Sequence, residues 1–191
     1  MTRRSTPFLL CLVGFPGVGK LTIAQTLARL TEAQVVDNHW INDPILRLVA
    51  YDSAAPVPEA VWPLVARVRG AVLEAIATLA PRTQNFIFTY AGADEDPADR
   101  EAFEEYREVA SRRRARFVAV RLLCEASELA RRIQSHSRHG RKLTDAEEAF
   151  RNVRSFTVLG AHMPSALTLD VTELSAEAAA AVILAHIQAG P

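Results

Sequence analysis

One stretch near the start restricts the fold more than any other. From Phe8 to Val13 every residue is apolar, Gly14 ends the run, Pro16, Gly17 and Gly19 follow, and Lys20 opens a segment with apolar residues at Ile23, Leu27 and Leu30. The spacing predicts a fully buried strand over 7–13 and a helix from about Lys20 to Leu30. The glycines between them let successive backbone N–H groups curl around an anion, and the helix N-terminus adds its partial positive charge. Lys20 stands where an ammonium can reach the outer phosphates of a nucleotide. At average glycine and proline usage, Gly-x-Pro-Gly-x-Gly-Lys arises by chance about once in a million positions. A plain turn between strand and helix needs neither the three glycines nor the lysine.

The remaining chain alternates between strand and helix patterns. Short apolar runs at 34–37, 85–90, 116–124 and 166–170 read as strands. Helical spacing is expected at 59–80, 97–113, 127–136, 144–156 and 175–188. Asn38 to Asp43 reads as loop, with Asp43-Pro44 suited to start a helix that carries Ile45, Leu48 and Val49. Residues 52–58 read as a linker too short for a domain boundary. Alternation of this kind predicts an α/β protein with a parallel sheet and helices on both faces, and 191 residues suit one domain. In such sheets ligands bind beyond the carboxyl ends of the strands, so chemistry is to be sought there.

Gly14-x4-Gly19-Lys20 between a strand and a helix has the spacing of a P-loop. Leu21 stands where a Ser or Thr hydroxyl commonly reaches Mg²⁺, and a hydroxyl follows one residue later at Thr22. In this the segment resembles the nucleoside monophosphate kinases; it also looks like the small-molecule kinases of the same superfamily: shikimate kinase, gluconate kinase and chloramphenicol phosphotransferase. The resemblance is specific over 8–30 and weaker beyond. It implies a three-layer P-loop fold over 1–191, with a five-stranded parallel sheet of order 2-3-1-4-5 and a small helical lid at about 131–142. It also implies ATP phosphates bound by Gly14, Pro16, Gly17, Val18, Gly19, Lys20, Leu21 and Thr22. The expected activity is transfer of the γ-phosphate of ATP to a hydroxyl of a small molecule, with Mg²⁺ as cofactor.

Candidate residues follow strand by strand. Asp37 ends the second strand and looks like the aspartate that faces the acceptor hydroxyl in shikimate kinase and chloramphenicol phosphotransferase, as base or Mg²⁺ ligand; the competing role is a cap for the turn at Asn38. Thr22 and Asp37 together are the expected metal ligands. The third strand ends in Thr89-Tyr90-Ala91-Gly92, without the metal-orienting aspartate many relatives carry. Asp94, Glu95 and Asp96 follow, as substitutes or as a solvated acidic loop. Leu129-Ala-Arg131-Arg132-Ile133 resembles the start of a lid, with Arg132 matching an arginine that stacks on adenine. Arg138, Arg141 and Lys142 flank Gly140, as a cationic flap over the transferring phosphoryl group or as an exposed basic helix. Trp40 beside Asp37 is a candidate contact for an aromatic or sugar-like acceptor, whereas Trp62 on a helical stripe is expected in the core.

Composition bounds the alternatives. Net charge is zero, which argues against nucleic-acid or membrane-surface binding as the main task. Arg112-Arg113-Arg114 with Arg116 is expected to complement a helix C-terminus. His136-x2-His139 lacks the further ligands of a zinc site. Cys11 and Cys124 fall in apolar runs and are expected reduced, as in a cytoplasmic protein. Basic residues ahead of the Phe8 run imitate a signal peptide, but that run leads directly into the glycine loop. A nucleotide-binding regulatory or degenerate kinase-like protein, acting through a partner, is the competing reading, favoured by Leu21 and the missing strand-three aspartate. The acceptor and the oligomeric state are not readable.

Overall fold

A computed structural model describes residues 6–49, 57–134 and 153–189. Five strands form one parallel sheet: β1 (Phe8–Val13), β2 (Gln34–Val36), β3 (Phe86–Tyr90), β4 (Arg116–Leu123) and β5 (Leu167–Asp170), in the order β2-β3-β1-β4-β5. Six helices are described: α1 (Lys20–Thr31), α2 (Asn38–Leu46), α3 (Val61–Thr78), α4 (Pro97–Arg113), α5 (Ala126–Ile133) and α6 (Ala176–Ala189). The expected fold and strand order are those observed.

The two-residue period of the strands sorts the core onto two faces. Leu9, Cys11 and Val13 of β1 join Phe86, Phe88 and Tyr90 of β3 beneath α3 and α4. Leu10 and Leu12 join Ile87 and Val120 on the opposite face, beneath α1, α5 and α6. Leu9, Leu10 and Leu12 are fully buried, each favouring folding by about 1.5–3 kcal/mol. That is why β1 occupies the centre, and why the loop that follows it starts from a rigid base.

Helix α4 runs over the expected residues, with Pro97 in its first turn and the Asp96 carboxylate accepting from the Ala98 N–H at 2.8 Å. Its arginine-rich end is tied inward. Arg113 is 2 % exposed and donates to the carbonyls of Ile76, Pro81 and Gln84 at the end of α3, with its guanidinium over the Phe86 ring at 4.9 Å. Arg112 pairs with Glu74, and Arg116 donates to the Ile187 carbonyl.

Some expectations fail. Leu30, part of the apolar spacing of the first helix, is exposed, as are Leu64 and Leu79 in the 59–80 helical stretch, and Trp62 is 47 % exposed instead of core. Position 38 begins a helix, not a loop, and Pro44 lies inside α2. The cause is non-local: the Asn38 N–H donates to the Thr89 hydroxyl on β3 at 3.1 Å, and the Trp40 N–H to the Asp37 carbonyl at 2.9 Å. These contacts start the turn six residues before Pro44, and Ile41, 1 % exposed, anchors it in the core. Cys11 is buried in β1, while Cys124 falls just past β4 and is half-buried.

Candidate active site

The glycine loop sits at the carboxyl end of β1 and is held on both sides. The Gly14 N–H donates to the Tyr90 carbonyl of β3 at 3.2 Å, and a Cβ at position 14 would stand 2.8 Å from the Leu122 carbonyl oxygen of β4. Gly17 has φ 98°, and a Cβ there would meet Ile133 Cγ1 at 2.7 Å and Leu129 Cδ1 at 2.9 Å. Conformation and space both demand glycine at that position. Gly19, φ 102°, is the N-cap of α1 and brings no side chain to its first-turn amides. Those amides have no intrahelical acceptor, so this end of α1 can receive an anion.

Lys20, the first residue of α1, turns its Nζ back over the loop and donates to the carbonyls of Gly14 at 2.6 Å and Phe15 at 3.1 Å. The ammonium is thus parked across the loop it serves. Beneath it, burial pushes the Cys11 thiol far above its usual range, against the opposing pull of Lys20. The thiol is inert packing. Successive residues of α1 are turned by about 100°, so the half-buried Leu21 and the exposed Thr22 face different ways.

Asp37 follows β2 and is 9 % exposed. It occupies the N-cap position of α2 without making a side-chain capping bond. Its Oδ1 instead accepts from the Thr89 hydroxyl at 2.5 Å. The strand order places β3 between β2 and β1, so Asp37 and Gly14 lie two strand spacings apart, about 10 Å. Residues 35, 37, 87 and 89 share the α1 face by alternation, so Asp37 and Thr89 lie on the side that Lys20 opens.

The acidic loop after β3 has structural duties. Asp94 accepts from the N–H groups of Gly160 and Ala161 at 2.8 and 2.9 Å, and Glu95 from that of Thr157 at 3.0 Å. Ala93 and Val158 form an antiparallel bridge alongside. Glu95 and Asp96 are exposed, as a solvated acidic loop requires, while Asp94 and Glu95 also hold backbone amides of the segment after residue 156. Asp99, missed in the sequence, is half-buried: it accepts from the Tyr90 hydroxyl at 2.6 Å and the Ala93 N–H at 2.8 Å, and desolvation raises its carboxyl against those bonds.

Arg132 lies at the end of α5 against the loop. Its guanidinium donates to the Val18 carbonyl at 3.2 Å, to those of Val171 and Thr172 at 2.8 Å each, and to Glu128 at 2.6 Å. These bonds tie the glycine loop to the segment after β5. Arg131 and Arg132 hold the Glu128 carboxyl down at about 2. Arg138, Arg141, Lys142 and both lid histidines lie outside the described residues, as does most of the expected lid.

Around Asp37, the His39 Nδ1 is 3.1 Å from Asp43, which Arg47 also reaches at 2.9 Å. Burial works against the Asp43 charge, but those partners hold its carboxyl below the usual range. Trp40 is 57 % exposed on the same short helix. A cavity of about 380 Å³ opens beyond the carboxyl ends of β4 and β5, lined by Phe15, Val18, Leu123, Cys124, Phe156 and Asp170 among others. That volume is within the range of small-ligand sites. Among the described residues no group of three or more His, Cys, Asp or Glu gathers into a metal cage. Mg²⁺ held chiefly by phosphate and water needs none, so the residues present fit it as a nucleotide-borne ion.

The match to known proteins agrees with this geometry. A model of the AAA domain family matches residues 9–155. No curated protein matches the chain in sequence. Solved structures of similar fold include a gluconokinase from Sinorhizobium meliloti, with 15% identity, TM-score 0.64, and coverage of 98% of this chain and 94% of that one. The APS kinase CysC of Mycobacterium tuberculosis, solved with AMPPNP and APS, has 15% identity and TM-score 0.57, covering 96% and 98%. Shikimate kinase from Acinetobacter baumannii, solved with shikimate, has 18% identity and TM-score 0.52, covering 97% and 95%. With the glycine loop, the strand order and a family match over most of its length, the chain belongs to the AAA domain family and carries the fold of the small P-loop kinases.

Proposed function

We propose that the protein is an ATP-dependent phosphotransferase that moves the γ-phosphate to a hydroxyl of a small molecule. The observation that carries this reading is the pairing of a glycine loop and its lysine with a nearly buried carboxylate two strands away, on one face of the sheet. A gap of about 10 Å leaves room for a phosphoryl group and an acceptor oxygen between them.

The chain's own residues divide the work. Backbone N–H groups from Gly17 to Thr22 hold the phosphates, and Lys20 leaves the Gly14 and Phe15 carbonyls to neutralise charge on the outer ones. Arg132 keeps the loop in place through Val18, and its face is the proposed platform for adenine. Asp37 orients the acceptor hydroxyl and takes its proton as the new P–O bond forms and the β–γ bridge breaks. Arg138 and Arg141 are the proposed cationic cover. Thr22 would hold Mg²⁺, with Asp37 reaching the ion through a bound water, and the ion would supply neutralisation of the β- and γ-phosphates. Trp40 is the proposed wall of the acceptor site.

Leu21 and the missing aspartate at the end of β3 favour a second reading, a nucleotide-binding protein that acts through a partner. Lys20→Ala separates the structural from the chemical role of the loop. ADP release should fall by about a hundredfold to a thousandfold, as for loss of a charge-stabilising donor, with far-UV circular dichroism unchanged. Full turnover in that variant would overturn the mechanism.

A further inference from the structure

Resting on the reading of Asp37 as the base, we propose that Thr89 is its positioning residue, fixing which carboxylate oxygen faces the acceptor. Thr89 is 2 % exposed, a polar side chain at the end of the otherwise apolar β3. Val36 pairs with Phe88, so the residues that follow, Asp37 and Thr89, stand side by side with their side chains on one face. Burial of a hydroxyl is unfavourable unless it is satisfied, and here both of its capacities are taken. The Asn38 N–H donates to Thr89 Oγ1 at 3.1 Å, and the hydroxyl donates to Asp37 Oδ1 at 2.5 Å.

The direction of this chain is fixed at its source. An amide N–H can only donate, so the Thr89 oxygen accepts there, and its single proton goes to Asp37. Oδ1 is therefore an acceptor that is already occupied. Among the described residues no hydrogen bond reaches Oδ2. Oδ2 is the oxygen left for the substrate: it receives the proton of the acceptor hydroxyl while that oxygen bonds to the γ-phosphorus and ADP departs with the electron pair of the broken bridge. A β-branched side chain on a central strand has little freedom at χ1, which keeps the hydroxyl in place before any ligand arrives. The same hydroxyl receives the first amide of α2, so one side chain sets both the start of that helix and the rotation of the carboxylate.

The test has one arm that needs no turnover. In protein labelled with ¹³C at aspartate carboxyl carbons, the Asp37 signal is assigned by its loss in Asp37→Asn. It should move in Thr89→Val, which keeps the shape and removes the hydroxyl, and stay in place in Thr89→Ser. An unmoved signal in Thr89→Val overturns the proposal. If Thr89→Val fails to fold, Thr89→Ser decides, because a displaced Asp37 signal there is equally contrary. The second arm reads ADP release from Mg²⁺-ATP with water as acceptor. Thr89→Val should lower kcat roughly ten- to a hundredfold, the range for a lost hydrogen bond to a charged group, with KM for ATP unchanged and Thr89→Ser close to wild type. In the Asp37→Asn background the same substitution should cost nothing more. An equal loss in both backgrounds would mean that Thr89 acts on the fold and not through Asp37. A moved carboxyl signal in a protein without turnover would leave the positioning intact and remove the phosphotransferase reading instead.

Discussion

The two halves of the site are built by different means. The phosphate side is local: β1, the glycine loop and α1 are consecutive, and the anion cradle is made from backbone whose shape Gly17 and Gly19 alone permit. The proposed acceptor side is assembled from distance. Asp37 follows β2, its partner Thr89 lies 52 residues later on β3, and α2 starts where it does because of that partner. A loop encoded in one stretch tolerates change elsewhere, whereas a carboxylate held across strands depends on every element that sets the strands side by side.

That contrast can be broken or sharpened. Asp37→Asn should lower acceptor-dependent turnover by about a hundredfold or more, the scale of a lost general base, while affinity for ATP without Mg²⁺, measured by titration calorimetry, stays within about a factor of two. A parallel loss of ATP affinity would show the two sides to be one unit. Gly17→Ala should weaken ATP binding and lower stability by about 1–3 kcal/mol, since an L residue there is strained in conformation and meets Ile133 besides. Denaturant midpoints check this; an unchanged midpoint contradicts the account of the loop.

The smallest effect concerns Glu128, whose folded carboxyl is held at about 2, below the ordinary 4.5. Because the folded value is the lower one, its contribution to stability is present above pH 4.5 and is lost as pH falls toward 2. Glu128→Gln should therefore lower the melting temperature slightly at pH 7 and flatten its decline between those values. An identical acid profile in both proteins would remove Glu128 as a determinant.

The sequence was most informative where structure is local. The buried run at 8–13, the glycine spacing and the bounds of α4, with Asp96 and Pro97 at its start, all carry their causes within a few residues. Leu30, Leu64 and Leu79 misled because apolar character alone does not say which edge of a stripe the sheet covers. The start of α2 was hidden because its cause is Thr89. The partners of Asp94 and Glu95 were hidden because the amides of 157–161 are backbone groups more than sixty residues away. The missing carboxylate at the end of β3 was visible in the sequence, but not the hydrogen bond from the Thr89 hydroxyl to Asp37, because its partner lies on another strand.

The most direct measurement is ADP formation from Mg²⁺-ATP across a panel of hydroxylated acceptors, with ³¹P NMR of the products. A phosphotransferase releases ADP in step with one new phosphate ester, for one class of acceptor. Tight ATP binding with ADP release that no acceptor changes, and no ester formed, would contradict transfer and leave a nucleotide-binding protein that works through a partner.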